Sequence, residues 1–123
     1  MILPILSYGN SVLKMKALPI SVKTTNLETL IKNMWETMYA AQGVGLAAPQ
    51  IGESIRLFIV DTYPFSDNKD LSIEERNFLR GFKKVFINPE IIEETGKECF
   101  FNEGCLSIPG IREDVKRKDS ITI

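Results

Sequence analysis

Apolar side chains recur at Leu27, Leu30, Ile31, Met34, Met38 and Ala41, while Glu28, Thr29, Lys32, Asn33, Glu36 and Thr37 fall mainly between them. That is the spacing of one buried helical face, and it predicts an amphipathic helix from Leu27 to Gln42. Thr25 and Glu28 have the spacing of a capping box at its start, and Gly43 stands where a C-terminal cap belongs. Met34, Trp35 and Met38 read as core.

The pattern then changes period. Ile55–Asp61 contains the continuous run Leu57-Phe58-Ile59-Val60, which predicts a strand buried on both faces. Thr62–Lys83 reads as an insertion. It opens on Tyr63-Pro64 and a polar run, Ser66–Asp70, and then offers a second capping box, Ser72 with Glu75, for a short helix ending near Gly81. Strand character returns at Val85–Asn88 and from Ile91. Thr95-Gly96 has turn chemistry and predicts a hairpin that returns through Glu98–Phe101. Ile111–Val115 and Ser120–Ile123 read as further strands, separated by a solvated turn at Lys116-Arg117-Lys118 between Asp114 and Asp119. Strands around one principal helix, with hairpin-like links, give an α+β class with a largely antiparallel sheet. At 123 residues the expectation is a single domain, residues 1–123. The last strand, Ile121-Thr122-Ile123, has no closing element after it, so the domain is expected to be C-terminally incomplete.

Composition narrows the function classes. A net charge of −1 and scattered Lys and Arg give no general attraction to nucleic acid or to an anionic membrane. No apolar run reaches the roughly 18 residues of a membrane span, and the N-terminus lacks signal-peptide character. Cys99 and Cys105 are too few for a disulfide framework and fit a reducing, cytoplasmic setting.

Two segments have the makings of chemistry. Gly43–Gln50 (Gly-Val-Gly-Leu-Ala-Ala-Pro-Gln) has small side chains that leave its backbone open to another part of the protein or to an extended ligand. Gln50 ends it with an amide that either satisfies loop carbonyls or donates to a developing oxyanion. Glu103–Ser107 (Glu-Gly-Cys-Leu-Ser) places Cys105 on a turn whose backbone N–H groups are available. The thiol is a candidate metal ligand, a nucleophile, or a small buried hydrophobe. Glu103 is either an ion-pair partner or part of a polar pocket. The 123 residues contain no histidine, so a Cys-His hydrolase cannot be assembled within them.

Taken together and in this order, the two segments resemble the first two motifs of peptide deformylases. Pro4–Leu13, the helix ending in Met-Tyr-Ala, Ile87–Glu90 and Ser107-Ile108-Pro109 share the likeness, so it spans essentially the whole chain. The resemblance implies removal of the N-formyl group from the initiator methionine of new bacterial or organellar proteins, with formyl-methionyl nascent peptides as partners near the ribosome exit. It implies a divalent metal, Fe(II), replaceable by Zn or Ni, with Cys105 as its thiolate ligand. Gln50 and the Leu106 N–H would bind the oxyanion. Gly43, Gly45, Glu103 and Gly104 would lie along the bound peptide, and Val44 would line the methionine pocket. The family's third motif, His-Glu-x-x-His, supplies two further ligands and the general base, and it is absent here. The 123 residues alone are therefore expected to be inactive, and the sheet face that the missing helix would cover is expected to be bare or buried in an oligomer. The alternatives are a deformylase-like protein that binds peptides without catalysis, and a cysteine-dependent hydrolase or redox protein.

Overall fold

The computed structural model describes residues 1–21, 23–24 and 26–123. The helix predicted from the apolar spacing is α1, Leu27–Ala40, and its inner face buries Met34, Thr37 and Met38. Two positions differ from the pattern. Thr37 is a buried residue, because its hydroxyl is satisfied on both sides: it donates to the Asn33 carbonyl at 2.7 Å and accepts the Leu3 N–H at 2.8 Å. Ala41, expected on the core side, is exposed beyond the last turn. The Thr25–Glu28 capping box lies outside the described residues.

The helix stop is also built differently. The Gln42 N–H donates to the Tyr39 carbonyl and the Gly43 N–H to the Met38 carbonyl, the paired bonds of a Schellman motif. The left-handed position belongs to Gln42, at φ 57°, rather than to Gly43. Gly43 lacks a side chain because Leu106 fills the space a Cβ would take.

Beyond this stop, β1 (Gly45–Ala47), β2 (Leu57–Asp61) and β3 (Lys83–Ile87) form an antiparallel sheet in that order, with Leu46 opposite Ile59 and Phe58 opposite Phe86. β1 had read as open loop; it is an edge strand, followed by a 3-10 turn at Ala48–Ile51. β2 alternates rather than being buried on both faces. Leu57 and Ile59 are buried, while Phe58 is half-buried and stacks on Phe86 at 4.6 Å. Met34 and Met38 of α1 meet Leu46, Ala48, Leu57 and Ile59 in the core, and Leu106 packs against the rim.

A second sheet is one long hairpin, β4 (Glu93–Cys105) with β5 (Ile108–Thr122). Three readings from the sequence are corrected here. Thr95-Gly96 is not a hairpin turn but an irregularity inside β4, where pairing shifts between Thr95 opposite Ser120 and Glu98 opposite Lys118. Gly96 takes φ 88°, and the Asp119 carboxylate accepts the Lys97 N–H in the space a side chain would fill. A glycine at positive φ serves a bulge as well as a turn. Ile111–Val115 and Ser120–Thr122 likewise belong to one strand, and Lys116–Lys118 lie within it, with Lys116 ion-paired to Glu98 at 2.8 Å. Phe100 and Ile111 of the hairpin are exposed, as is Ile92 just before it.

The segment Thr62–Lys83 forms a 3-10 turn, Tyr63–Asp67, and α2, Ile73–Gly81. The Ser72–Glu75 capping box is formed as predicted, by bonds of 3.1 Å and 2.9 Å. Phe65 reaches the long hairpin, its ring edge-on to Phe101 at 5.8 Å. The architecture is thus α+β with antiparallel sheets, as the pattern indicated.

On the outer side of α1, Tyr39 donates its hydroxyl to Asp61 at 2.6 Å and stacks with Trp35, while the Lys83 ammonium sits 4.6 Å from the Trp35 ring. Desolvation, and then the bond to Asp61 and its charge, push the Tyr39 phenol up to about 12. A folded-state value above the ordinary 10.0 means that folding favours the neutral phenol. This contribution is fully present below pH 10 and is lost as pH rises toward 12. Denaturant titrations from pH 9 to about 12 should therefore show unaltered protein losing stability faster than Tyr39→Phe, with a small difference because the ring is partly exposed.

Candidate active site

The two motif segments meet where the end of the long hairpin folds over the 3-10 turn after β1. Cys105 is the last residue of β4, Leu106-Ser107 form a two-residue turn, and Ile108 opens β5 opposite Cys105. Pairing then skips from Cys105–Ile108 to Gly104–Arg112, and Gly110 takes φ 80° within the skipped stretch. The thiol of Cys105 is exposed. Cys99 lies six residues back on the same strand, roughly 20 Å away at the strand rise, so the two cannot form an intramolecular disulfide.

Gln50 faces this turn. Its Oε1 accepts the Ala47 N–H at 3.0 Å. Its Nε2 donates to Ser107 Oγ at 3.2 Å and toward Cys105 Sγ at 3.7 Å. The side chain therefore does not satisfy loop carbonyls; its NH2 group is shared between the Ser107 hydroxyl and the cysteine sulfur. The Leu106 N–H, one residue on, has no acceptor among the described residues. Thiol and amide thus approach one another, and the Leu106 N–H follows the thiol directly in the turn.

What holds the segments in register is mostly backbone. The Leu6 N–H donates to the Gln50 carbonyl at 2.7 Å, and the Tyr8 N–H to the Ser107 carbonyl at 2.8 Å. The N-terminal segment therefore ties both motifs to itself two residues apart. Gly43 adds a side-chain contact: a Cβ there would stand 2.7 Å from Leu106 Cδ1 and 3.3 Å from its Cγ. The open backbone at Gly43 is thus occupied by Leu106 of the second motif. Gly45 is less crowded, with only ordinary contact to the Ile59 carbonyl at 3.5 Å. The Val44 carbonyl accepts the Asp61 N–H at 2.9 Å, and antiparallel alternation then turns the Gly45 N–H and C=O away from β2, toward the open edge.

Glu103 resolves toward its ion-pair alternative. Both its oxygens take N–H bonds from Arg117, one at 2.8 Å. These bonds, aided by the guanidinium charge and opposed by some desolvation, hold its carboxyl below the usual carboxylate range. A depressed value means that this contribution is present at neutral pH and fades as pH falls through the folded-state value. At Gly104 the close neighbour is the Arg112 side chain, which would stand 2.8 Å from an added Cβ and which bonds Asn102. Ser107 was read only as the end of the motif, yet it is buried and directly bonds Gln50. The available signal was a primary amide opposite a turn serine. The Leu6 and Tyr8 ties left none, because backbone bonds carry no side-chain code.

The fold and site define a helix-and-hairpin α+β domain that gathers a free thiol, an oriented amide and an open backbone donor at one hairpin end. The polypeptide deformylase family model matches residues 2–123, and the chain belongs to that family. It is 58% identical over 123 residues to the peptide deformylase of Christiangramia forsetii, covering 100% of this chain and 63% of that protein. Among solved structures, a K3U-bound class I type b peptide deformylase from Acinetobacter baumannii superposes with a TM-score of 0.82 at 33% identity, covering 98% of this chain and 73% of that one. A peptide deformylase from Legionella pneumophila gives a TM-score of 0.79 at 40% identity, covering 98% and 63%. The chain thus spans somewhat under two thirds of the length of the first of these relatives.

Proposed function

We propose that these residues form the substrate-facing part of a metal-dependent hydrolase that removes the N-formyl group from the initiator methionine of nascent proteins. The observation that carries this reading is the approach of the Gln50 amide to the Cys105 thiol, next to a Leu106 N–H with no acceptor among the described residues. Two N–H donors beside that thiol would suit a carbonyl oxygen that gains negative charge, because they stabilise it without titrating. β1 offers the second part of the reading. Its outer edge presents the Gly45 N–H and C=O, so an extended formyl-methionyl peptide can add as a strand, with Gly104 flanking it and Val44 beside the methionine side chain.

A catalytic metal centre takes three protein ligands and leaves one position open. Among the described residues no group of three His, Cys, Asp or Glu is placed to hold an ion. The donor set present fits one corner of such a centre: Cys105 would be its thiolate ligand, for Fe(II), Zn or Ni. When bound, the ion would supply Lewis-acid polarisation of the formyl carbonyl. This chain's own residues would orient the peptide and receive the oxyanion. No helix among the described residues is long and apolar enough to cross a membrane. A cytoplasmic site near the ribosome exit, where formylated N-termini emerge, suits the substrate.

The test is formate release from formyl-Met-Ala-Ser by a chimera joining residues 1–123 to the remainder of the Christiangramia forsetii relative. The chimera should release formate and the 123 residues alone should not. A folded, metal-loaded chimera that binds the peptide without releasing formate would favour the non-catalytic peptide-binding alternative.

A further inference from the structure

Ser107 has no role in the reading so far, yet the geometry around it is the most constrained in the site. The Ala47 N–H can only donate, so the Gln50 oxygen must face it and the NH2 group must face the other way. That end meets Ser107 Oγ at 3.2 Å and Cys105 Sγ at 3.7 Å. We propose that Ser107 is a positioning residue: its hydroxyl accepts one Nε2 proton of Gln50 and thereby aims the other at the place beside Cys105. The catalytic consequence rests on the deformylase reading; the positioning itself does not.

Three observations support a purpose-built contact. Ser107 is 5% exposed, so its hydroxyl is shielded from competition with bulk water. Its carbonyl and that of Gln50 are tied to Tyr8 and Leu6 of one short segment, which presets the distance between hydroxyl and amide. The terminal torsion of glutamine is broad, so an amide held only at its oxygen swings about that anchor. A second anchor on the nitrogen removes that freedom. An oxyanion donor is effective to the degree that it already points at the developing charge.

The direct test is the side-chain amide of Gln50 in the 15N-labelled 123-residue chain. The unaltered protein should give two well-separated proton signals, one of them slow to exchange with water. Ser107→Ala should at least halve that separation and speed exchange by about tenfold, while the backbone signals of Tyr8 and Leu106 hold their positions. Ser107→Thr, which keeps the hydroxyl, should restore the separation. A folded Ser107→Ala protein with unchanged Gln50 signals overturns the proposal. Should that variant not fold, cross-relaxation in the unaltered chain decides: transfer from one Gln50 amide proton to the Ser107 β protons supports it, and its absence overturns it. In the chimera, Ser107→Ala should lower kcat by about tenfold with KM unchanged, and a loss confined to KM overturns the aiming role. A chimera inactive with Ser107 in place refutes the deformylase reading, while the amide signals still judge the positioning.

Discussion

Replacing Gln50 with leucine in the chimera should lower kcat for a formyl-methionyl peptide by roughly 10²–10³, with KM changed only a few-fold. Leucine is of broadly similar size to glutamine and removes both its donors. The Gln50 amide points toward Cys105 Sγ at 3.7 Å and is held from behind by Ala47, so it is in place before any substrate arrives. An interaction of that kind strengthens as charge builds on the carbonyl oxygen, and its loss falls on the chemical step. Gln50→Glu should do at least as much harm, because it sets a negative charge where a second one has to develop. Steady-state kinetics on formylated Met-Ala-Ser separate the two parameters. A Gln50→Leu chimera with unaltered kcat would remove the amide from the reaction.

The second large effect is on stability. Ile59→Ala should destabilise the chain by about 2–5 kcal/mol, read from denaturant midpoints. Ile59 is fully buried in the middle of β2, opposite Leu46 and beneath Met34 and Met38. Among the described residues six apolar side chains make up the buried core, so few neighbours are there to close the cavity. Total stabilities of small domains are often no more than about 5–15 kcal/mol, so the loss is a large share of what holds the chain together. Phe58→Ala, one residue away on the half-buried face, should cost less. Equal losses at the two positions would mean that β2 is buried on both sides, as the apolar run alone had suggested.

That contrast shows what a single sequence can convey. The period of α1, the Ser72–Glu75 capping box and the antiparallel α+β class were all legible, because each depends on side chains close together in the chain. The two motif segments were legible as candidate chemistry, through Cys105 and Gln50, and as a family likeness through their order. The failures share one cause. Local propensity makes Gly96 a turn, yet its left-handed conformation goes with the Asp119 carboxylate; Gly43 does sit in the helix stop, but its missing side chain answers to Leu106. The run Leu57–Val60 looks doubly buried because period alone cannot tell how thick a layer lies on each face. The ties from Leu6 and Tyr8 were invisible for a simpler reason: any residue has an N–H to give.

Most of the functional account rests on Cys105 being a metal's thiolate ligand beside the Gln50 and Leu106 donors. The most direct measurement is the absorption spectrum of the chimera loaded with Co(II). A thiolate-to-cobalt charge-transfer band should appear, should persist in Cys99→Ala, and should vanish in Cys105→Ala together with formate release. A band unchanged by Cys105→Ala, in a protein that still releases formate, would contradict the account.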